Sequence, residues 1–179
     1  MHLPDPLPHL VIIGCGNPTR QDDAAAPILL EALRESLGHR SDHYRLRYIE
    51  TLQLNPENAY DLLGADKVIF IDCGLIDTPV LFKPIMPETS WQLTTHQQTP
   101  EAILAMTSML SDEPLPECFL LAIQGNAFEL GEPLTSDCIN HLDLAKTLVT
   151  HLVNMPDTAS WHKIWHQEHG ERCARSIIG

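Results

Sequence analysis

Five short runs along the chain carry the signature of strands, and amphipathic stretches alternate with them. "HLVIIG" (9–14) is continuous, apolar and rich in β-branched residues, and it stops at glycine, which is the pattern of a strand buried on both faces. "KVIFIDCG" (67–74) and "CFLLAIQG" (118–125) have the same character, whereas "YRLRYIE" (44–50) alternates. "VLFKPIM" (80–86) predicts a further strand at a sheet edge, because Pro84 has no N–H to give to a ladder.

Between these runs the period changes. In "AAAPILLEALRESLG" the apolar residues Ala26, Leu29, Leu30, Leu33 and Leu37 draw one face of a helix. Pro27 falls in its first turn, where a missing N–H costs little, and Gly38 stands where a C-terminal cap belongs. "NPENAYDLL" predicts a helix with Asn55 as cap and Pro56 at its first position, and "TPEAILAMTSML" another with Thr99 and Pro100 in those roles. "SDCINHLDLAKTLVTHLV" (136–153) predicts a long final helix. Strand and helix in alternation imply an α/β fold with a mostly parallel sheet and helices on both faces. The expected organisation is a single domain over 1–155. The segment 156–179 falls outside the alternation and is expected to be a tail.

Composition narrows the function classes. The chain has 179 residues, 44% of them hydrophobic, enough for one proper core. Its net charge of −13 argues against nucleic acid or an anionic membrane as partner, since both repel an acidic surface. No apolar run approaches the length of a membrane span, and "MHLPDPLPHL" lacks the basic start of a signal peptide, so a cytoplasmic location is expected. The five cysteines are scattered without a CxxC, which speaks against a disulfide framework or a zinc knuckle.

Three residues carry the candidate chemistry. In an open parallel sheet, ligands sit beyond the carboxyl ends of the strands. Asp23 follows the first strand, Asp72 closes the third, and His96 lies in the loop after 80–86. Two carboxylates and an imidazole suit a borderline divalent metal such as nickel or zinc. Each has an ordinary alternative. The Asp22–Asp23 pair is equally what caps a helix, and a lone histidine in a polar loop needs no role. Asp72 is the sharper signal, because a charge ending an apolar strand must be desolvated or must face the ligand crevice. Cys73 beside it is either a thiol nucleophile, with His96 as base, or a small buried hydrophobe. "GCGNPT" starts like a dinucleotide fingerprint but lacks the third glycine. His162, His166 and His169 stand at helical spacing, a row that an exposed helix face explains as well as a metal does.

Taken together these stretches resemble the [NiFe]-hydrogenase maturation endopeptidases. "GCGNPTRQDDA" (14–24) is similar to that family's GxGNxxxxDDG opening. "LNPENAYDLL", "VIFIDCG", "THQQTPEAIL" and "IQGNAFELGEPLT" resemble its later segments in the same order, so that the likeness runs from about residue 9 to 153. The resemblance implies a three-layer sandwich with a twisted, mostly parallel sheet between helices. It implies an endopeptidase that clips the C-terminal extension from the hydrogenase large-subunit precursor after nickel insertion. Asp23, Asp72 and His96 would engage nickel supplied by the substrate, and no tightly bound cofactor is expected. Asn17, Glu50 and Thr51 would help recognise the precursor, and a monomer is expected.

Two departures from the family pattern stand out. Ala24 replaces a glycine, so the backbone there must avoid a glycine-only conformation. "ETLQL" (50–54) replaces a glycine-rich loop linked to substrate choice. A non-proteolytic nickel-handling or assembly factor on the same fold is the alternative that these departures leave open.

Overall fold

The computed structural model describes residues 7–88, 98–157 and 159–165. Strand β1 (His9–Cys15) leads through a 3-10 turn (Gln21–Ala24) into helix α1 (Ala25–Leu37), followed by β2 (Arg45–Thr51) and a one-turn helix α2 (Asn58–Asp61). Then come β3 (Lys67–Gly74), β4 (Val80–Ile85), α3 (Pro100–Leu110), β5 (Glu117–Gln124) and α4 (Ser136–Val153). The five strands form one sheet in the order β2-β1-β3-β5-β4. All neighbours are parallel except β4, which runs antiparallel to β5 at the edge where Pro84 does no harm.

Alternation along the central strands divides the core in two. Leu10 and Ile12 of β1 with Ile69 and Ile71 of β3 pack against α1 and α4. Val11 and Ile13 with Val68 and Phe70 face α3 and the short α2 on the other side. Asp72 shares its parity with Val68 and Phe70, which places it on the α2–α3 side.

Local signals explain most boundaries. α1 ends at Gly38, whose φ of 63° suits glycine. The Thr99 hydroxyl accepts the Ala102 N–H at 3.1 Å to cap α3, and the Thr135 hydroxyl accepts Cys138 N–H at 3.2 Å to cap α4. The helix expected from Asn55 is shorter than its pattern. Asn58, Ala59 and Tyr60 donate to the carbonyls of Asn55, Pro56 and Glu57 in tight i→i+3 turns, and α-helix covers only four residues.

Beyond Met155, residues 159–165 are helical. This stretch carries Trp161 into the α1–α4 side of the core, where it is fully buried against Tyr44, Phe82 and Phe119. Its indole N–H donates to the Leu152 carbonyl at 3.1 Å. The buried Lys67 ammonium lies 4.7 Å from the Trp161 ring centroid and donates to the Tyr44 hydroxyl at 2.8 Å. Burial pushes the Lys67 pKa down, partly offset by Glu117, Asp157 and Asp66. Trp161→Phe removes one donor from the Leu152 carbonyl, which still accepts the Met155 N–H at 3.0 Å, and leaves part of the indole's space unfilled, so a loss of about 1–2 kcal/mol in urea-unfolding stability is expected. His162 packs on Phe119 with ring centroids 5.3 Å apart, while His166 and His169 lie outside the described residues.

Candidate functional site

Topology dictates where a ligand can enter. From β1 the chain moves outward to β2, then returns to place β3 on the other side of β1. The connections leaving β1 and β3 therefore diverge, and they open a crevice at the carboxyl ends of these two strands. A cleft of about 680 Å³ lies there, lined among others by Gly16, Asn17, Arg20, Asp23, Asp72 and Phe128.

The Asp22–Asp23 pair splits into two unlike roles. Neither residue caps α1, whose N-cap position is Ala24 without a side-chain bond. Asp22 is fully buried and faces away into a distant loop. Its carboxylate accepts the backbone N–H groups of Asn126, Ala127 and Thr135 at 2.9, 3.2 and 2.7 Å, and the Thr135 hydroxyl at 2.9 Å. Burial alone would raise its pKa, but these donors outweigh it and hold the carboxyl below its usual range. Asp22 is thus a clamp that fastens the 125–135 segment, and through Thr135 the start of α4, to the turn bearing Asp23.

Asp23 lines the cleft, with Oδ2 accepting the Asn17 N–H at 3.0 Å. Asn17 in turn accepts Thr19 N–H and hydroxyl at 2.9 and 2.7 Å, which closes the turn. Gly16 has to be glycine: its φ is 156°, and a Cβ there would collide with the Asp23 carbonyl oxygen. Ala24 sits at φ −71°, ψ −9°, an ordinary right-handed geometry, so the missing glycine imposes no strain.

Asp72 reaches the same cleft from β3, with Oδ1 accepting the Cys73 N–H at 2.8 Å. Burial, and then the charge of Asp23, push its pKa up to about 6, against the lowering effect of that N–H. Two acids 49 positions apart in the chain therefore share one partly dry crevice and repel each other. Such a pair gains when a cation sits between them.

The other expected residues fall variously. His96 lies outside the described residues. Asn17 is in the cleft wall. Glu50 and Thr51 belong to the end of β2 and are not in that wall; it is built from the next residues, Leu52, Gln53 and Asn55. Thr51 acts indirectly, its carbonyl accepting the Gly16 N–H at 3.0 Å. Cys15 and Cys73 both border the cleft. The Cys73 thiol is pushed up by its hydrogen bond with Cys138 and by burial, and Cys15 is pushed up to about 12 chiefly by burial. Both are therefore neutral thiols, and the arrangement argues against a cysteine nucleophile.

Arg20 and Phe128 are members of the site that the sequence reading passed over. Arg20 stood inside the opening motif and its charge was the available signal. Phe128 had no local signal, because the 19–22 turn and the 126–131 segment meet only in the fold. Arg20 Nε donates to the Phe128 carbonyl at 3.0 Å, Asp22 N–H to Ala127 at 3.1 Å, and Gly131 N–H to Thr19 at 2.8 Å.

No family model matches the chain, and no curated protein matches it. Solved structures do. The hydrogenase maturating endopeptidase HybD of E. coli is 18% identical, with a TM-score of 0.59 over 79% of this chain and 89% of its own. The [NiFe] hydrogenase maturation protease HycI of Thermococcus kodakarensis is 18% identical, with a TM-score of 0.60 over 82% and 93%. A hydrogenase 2 maturation peptidase from a Thaumarchaeota archaeon is 20% identical, with a TM-score of 0.55 over 82% and 98%. The chain is built on the fold of these hydrogenase maturation proteases, with two carboxylates gathered at the switch point of its sheet.

Proposed function

We propose that the chain is an endopeptidase that removes the C-terminal extension of a [NiFe]-hydrogenase large-subunit precursor once nickel is in place. One observation carries the reading: Asp23 and Asp72 line a single cleft at the topological switch point of a fold shared with hydrogenase maturation proteases. The nickel belongs to the substrate. Asp23, Asp72 and His96 would engage it, and the protein needs no tightly bound cofactor of its own.

The two acids are suited to a metal that arrives and leaves. The cleft holds a desolvated carboxyl, that of Asp72, raised to about 6 by burial and by its neighbour. A cation entering with the precursor relieves both penalties, so that nickel-loaded substrate is favoured over the unloaded form. Carboxylate ligands release nickel more readily than thiolates would, which allows product to depart. Cleavage then needs a polarised carbonyl and an activated water; the substrate's nickel would supply the first, and whichever of Asp23 and Asp72 stays free of it would take the proton. The protein is expected to work as a monomer in the cytoplasm; among the described residues no helix is long and apolar enough to cross a membrane.

The test is shortening of purified precursor, with and without nickel, followed by mass spectrometry. Nickel-loaded precursor is expected to be cut and nickel-free precursor to stay intact. Full cleavage by Asp23→Ala, Asp72→Ala and His96→Ala variants would overturn the assignment. Precursor bound but never shortened would favour the assembly-factor alternative instead.

A further inference from the structure

The cleft contains a cation that its acids do not use. Arg20 is exposed, yet its guanidinium is fixed: Nε donates to the Phe128 carbonyl at 3.0 Å, and Cζ lies 5.9 Å from the Phe128 ring centroid. Phe128 is itself anchored, because the Asp22 carboxylate holds the two preceding N–H groups and the Asp22 N–H holds the Ala127 carbonyl. Among the described residues Arg20 has no carboxylate within ion-pair distance. The guanidinium therefore stands apart from the acid pair while lining the same cleft.

We propose that Arg20 is a carboxylate receptor in the cleft wall, selecting peptides by an acidic group held at a distance from the Asp23–Asp72 pair. The physical reasoning is direct. With Nε occupied, the remaining guanidinium N–H groups keep the fork that binds a carboxylate in bidentate fashion. A chain of net charge −13 repels anions over most of its surface, so an immobilised cation inside the cleft is what admits one. Because the side chain is already ordered, little rotamer entropy remains to be lost on binding. Asn17 lies in the same wall; its carboxamide oxygen is committed to Thr19, and its NH₂ is the donor it retains for a ligand. The carboxylate could be the terminus of the bound peptide or an Asp or Glu side chain within it. Only the identification of that peptide with the precursor's extension rests on the endopeptidase reading.

The experiment is an NMR titration of the full chain with three small peptides, following the Arg20 Nε–H signal in the wild type and the backbone amides of Asn17 and Phe128 in wild type and variants alike. The probes are N-acetyl-trialanine with a free terminus, its C-terminal amide, and N-acetyl-Ala-Asp-Ala amide. Saturable shifts from the first or third probe and none from the neutral amide are expected, and whichever probe binds identifies the source of the carboxylate. Arg20→Gln should weaken that binding by about tenfold or more, and Arg20→Lys by less, since it keeps the charge but not the fork. Equal shifts from the neutral amide, or undiminished affinity in Arg20→Gln with an otherwise native spectrum, would overturn the proposal. The assay contains neither nickel nor a cleavable precursor, so its failure leaves the endopeptidase assignment standing. Failure of precursor cleavage would leave carboxylate binding standing in the same way.

Discussion

Asp22→Ala is expected to destabilise the protein by about 3–5 kcal/mol, although the residue never touches the cleft. The substitution removes one carboxylate and orphans four donors at once: the N–H groups of Asn126, Ala127 and Thr135, and the Thr135 hydroxyl. Asp22 itself is fully buried, so the donors lose the acceptor on their inner side. Asp22→Asn should fall between, since it keeps one acceptor oxygen but turns an NH₂ toward groups that are themselves donors. The sign of the pH dependence follows from the depressed pKa. Stability from a carboxyl held below its ordinary 3.8 is present above that pH and is lost as the pH falls through the folded-state value. The gap between wild type and Asp22→Ala in urea unfolding should therefore be wide at pH 7 and should shrink progressively as the pH falls below 3.8. A loss under about 1 kcal/mol at pH 7 would mean that the 125–135 segment is held by other contacts.

Asp72→Asn is expected to act in opposite directions on stability and on processing. Its carboxyl, raised from 3.8 to about 6, favours the protonated form in the folded state. That group costs nothing below pH 3.8, costs progressively more as the pH rises towards 6, and carries its full penalty above that value. The neutral amide keeps the shape and still accepts the Cys73 N–H, so a gain of about 2 kcal/mol at pH 7.5 and none at pH 3.5 is expected. Under the proposed function, the same variant should lose precursor cleavage by about a thousandfold, because the amide neither attracts the cation nor takes a proton. Thermal unfolding at the two pH values measures the first effect and precursor shortening the second. Equal melting shifts at both pH values would show that packing, not charge, governs the site. The expected opposition is that of an active site kept under electrostatic strain.

Much of this arrangement was legible in one dimension, for identifiable reasons. The continuous apolar runs at 9–14, 67–74 and 118–125 are central parallel strands, and Pro84 does mark an antiparallel edge. Thr99 makes its helix start visible through a short-range hydrogen bond to a neighbour three residues away, while the same role of Thr135 at the start of α4 emerged only in the structure. Asp72 announced itself because a charge after four apolar residues has few places to go. The extent of α2 was not legible, since the 55–60 turns satisfy their backbone locally without continuing the helix. The division of labour in the Asp pair was also hidden, because the partners of Asp22 lie more than a hundred residues away. Arg20 was visible as a charge, but its immobilisation on Phe128 was not.

The chain by itself determined the element order, the buried strands and the acids at their ends, because hydrophobic period, capping and desolvation act over a few residues. Only the tertiary structure decided which acid faces the cleft, which one clamps a distant segment, and where a spare cation stands. Those choices depend on crossover direction and on contacts between segments whose separation in sequence carries no local signal.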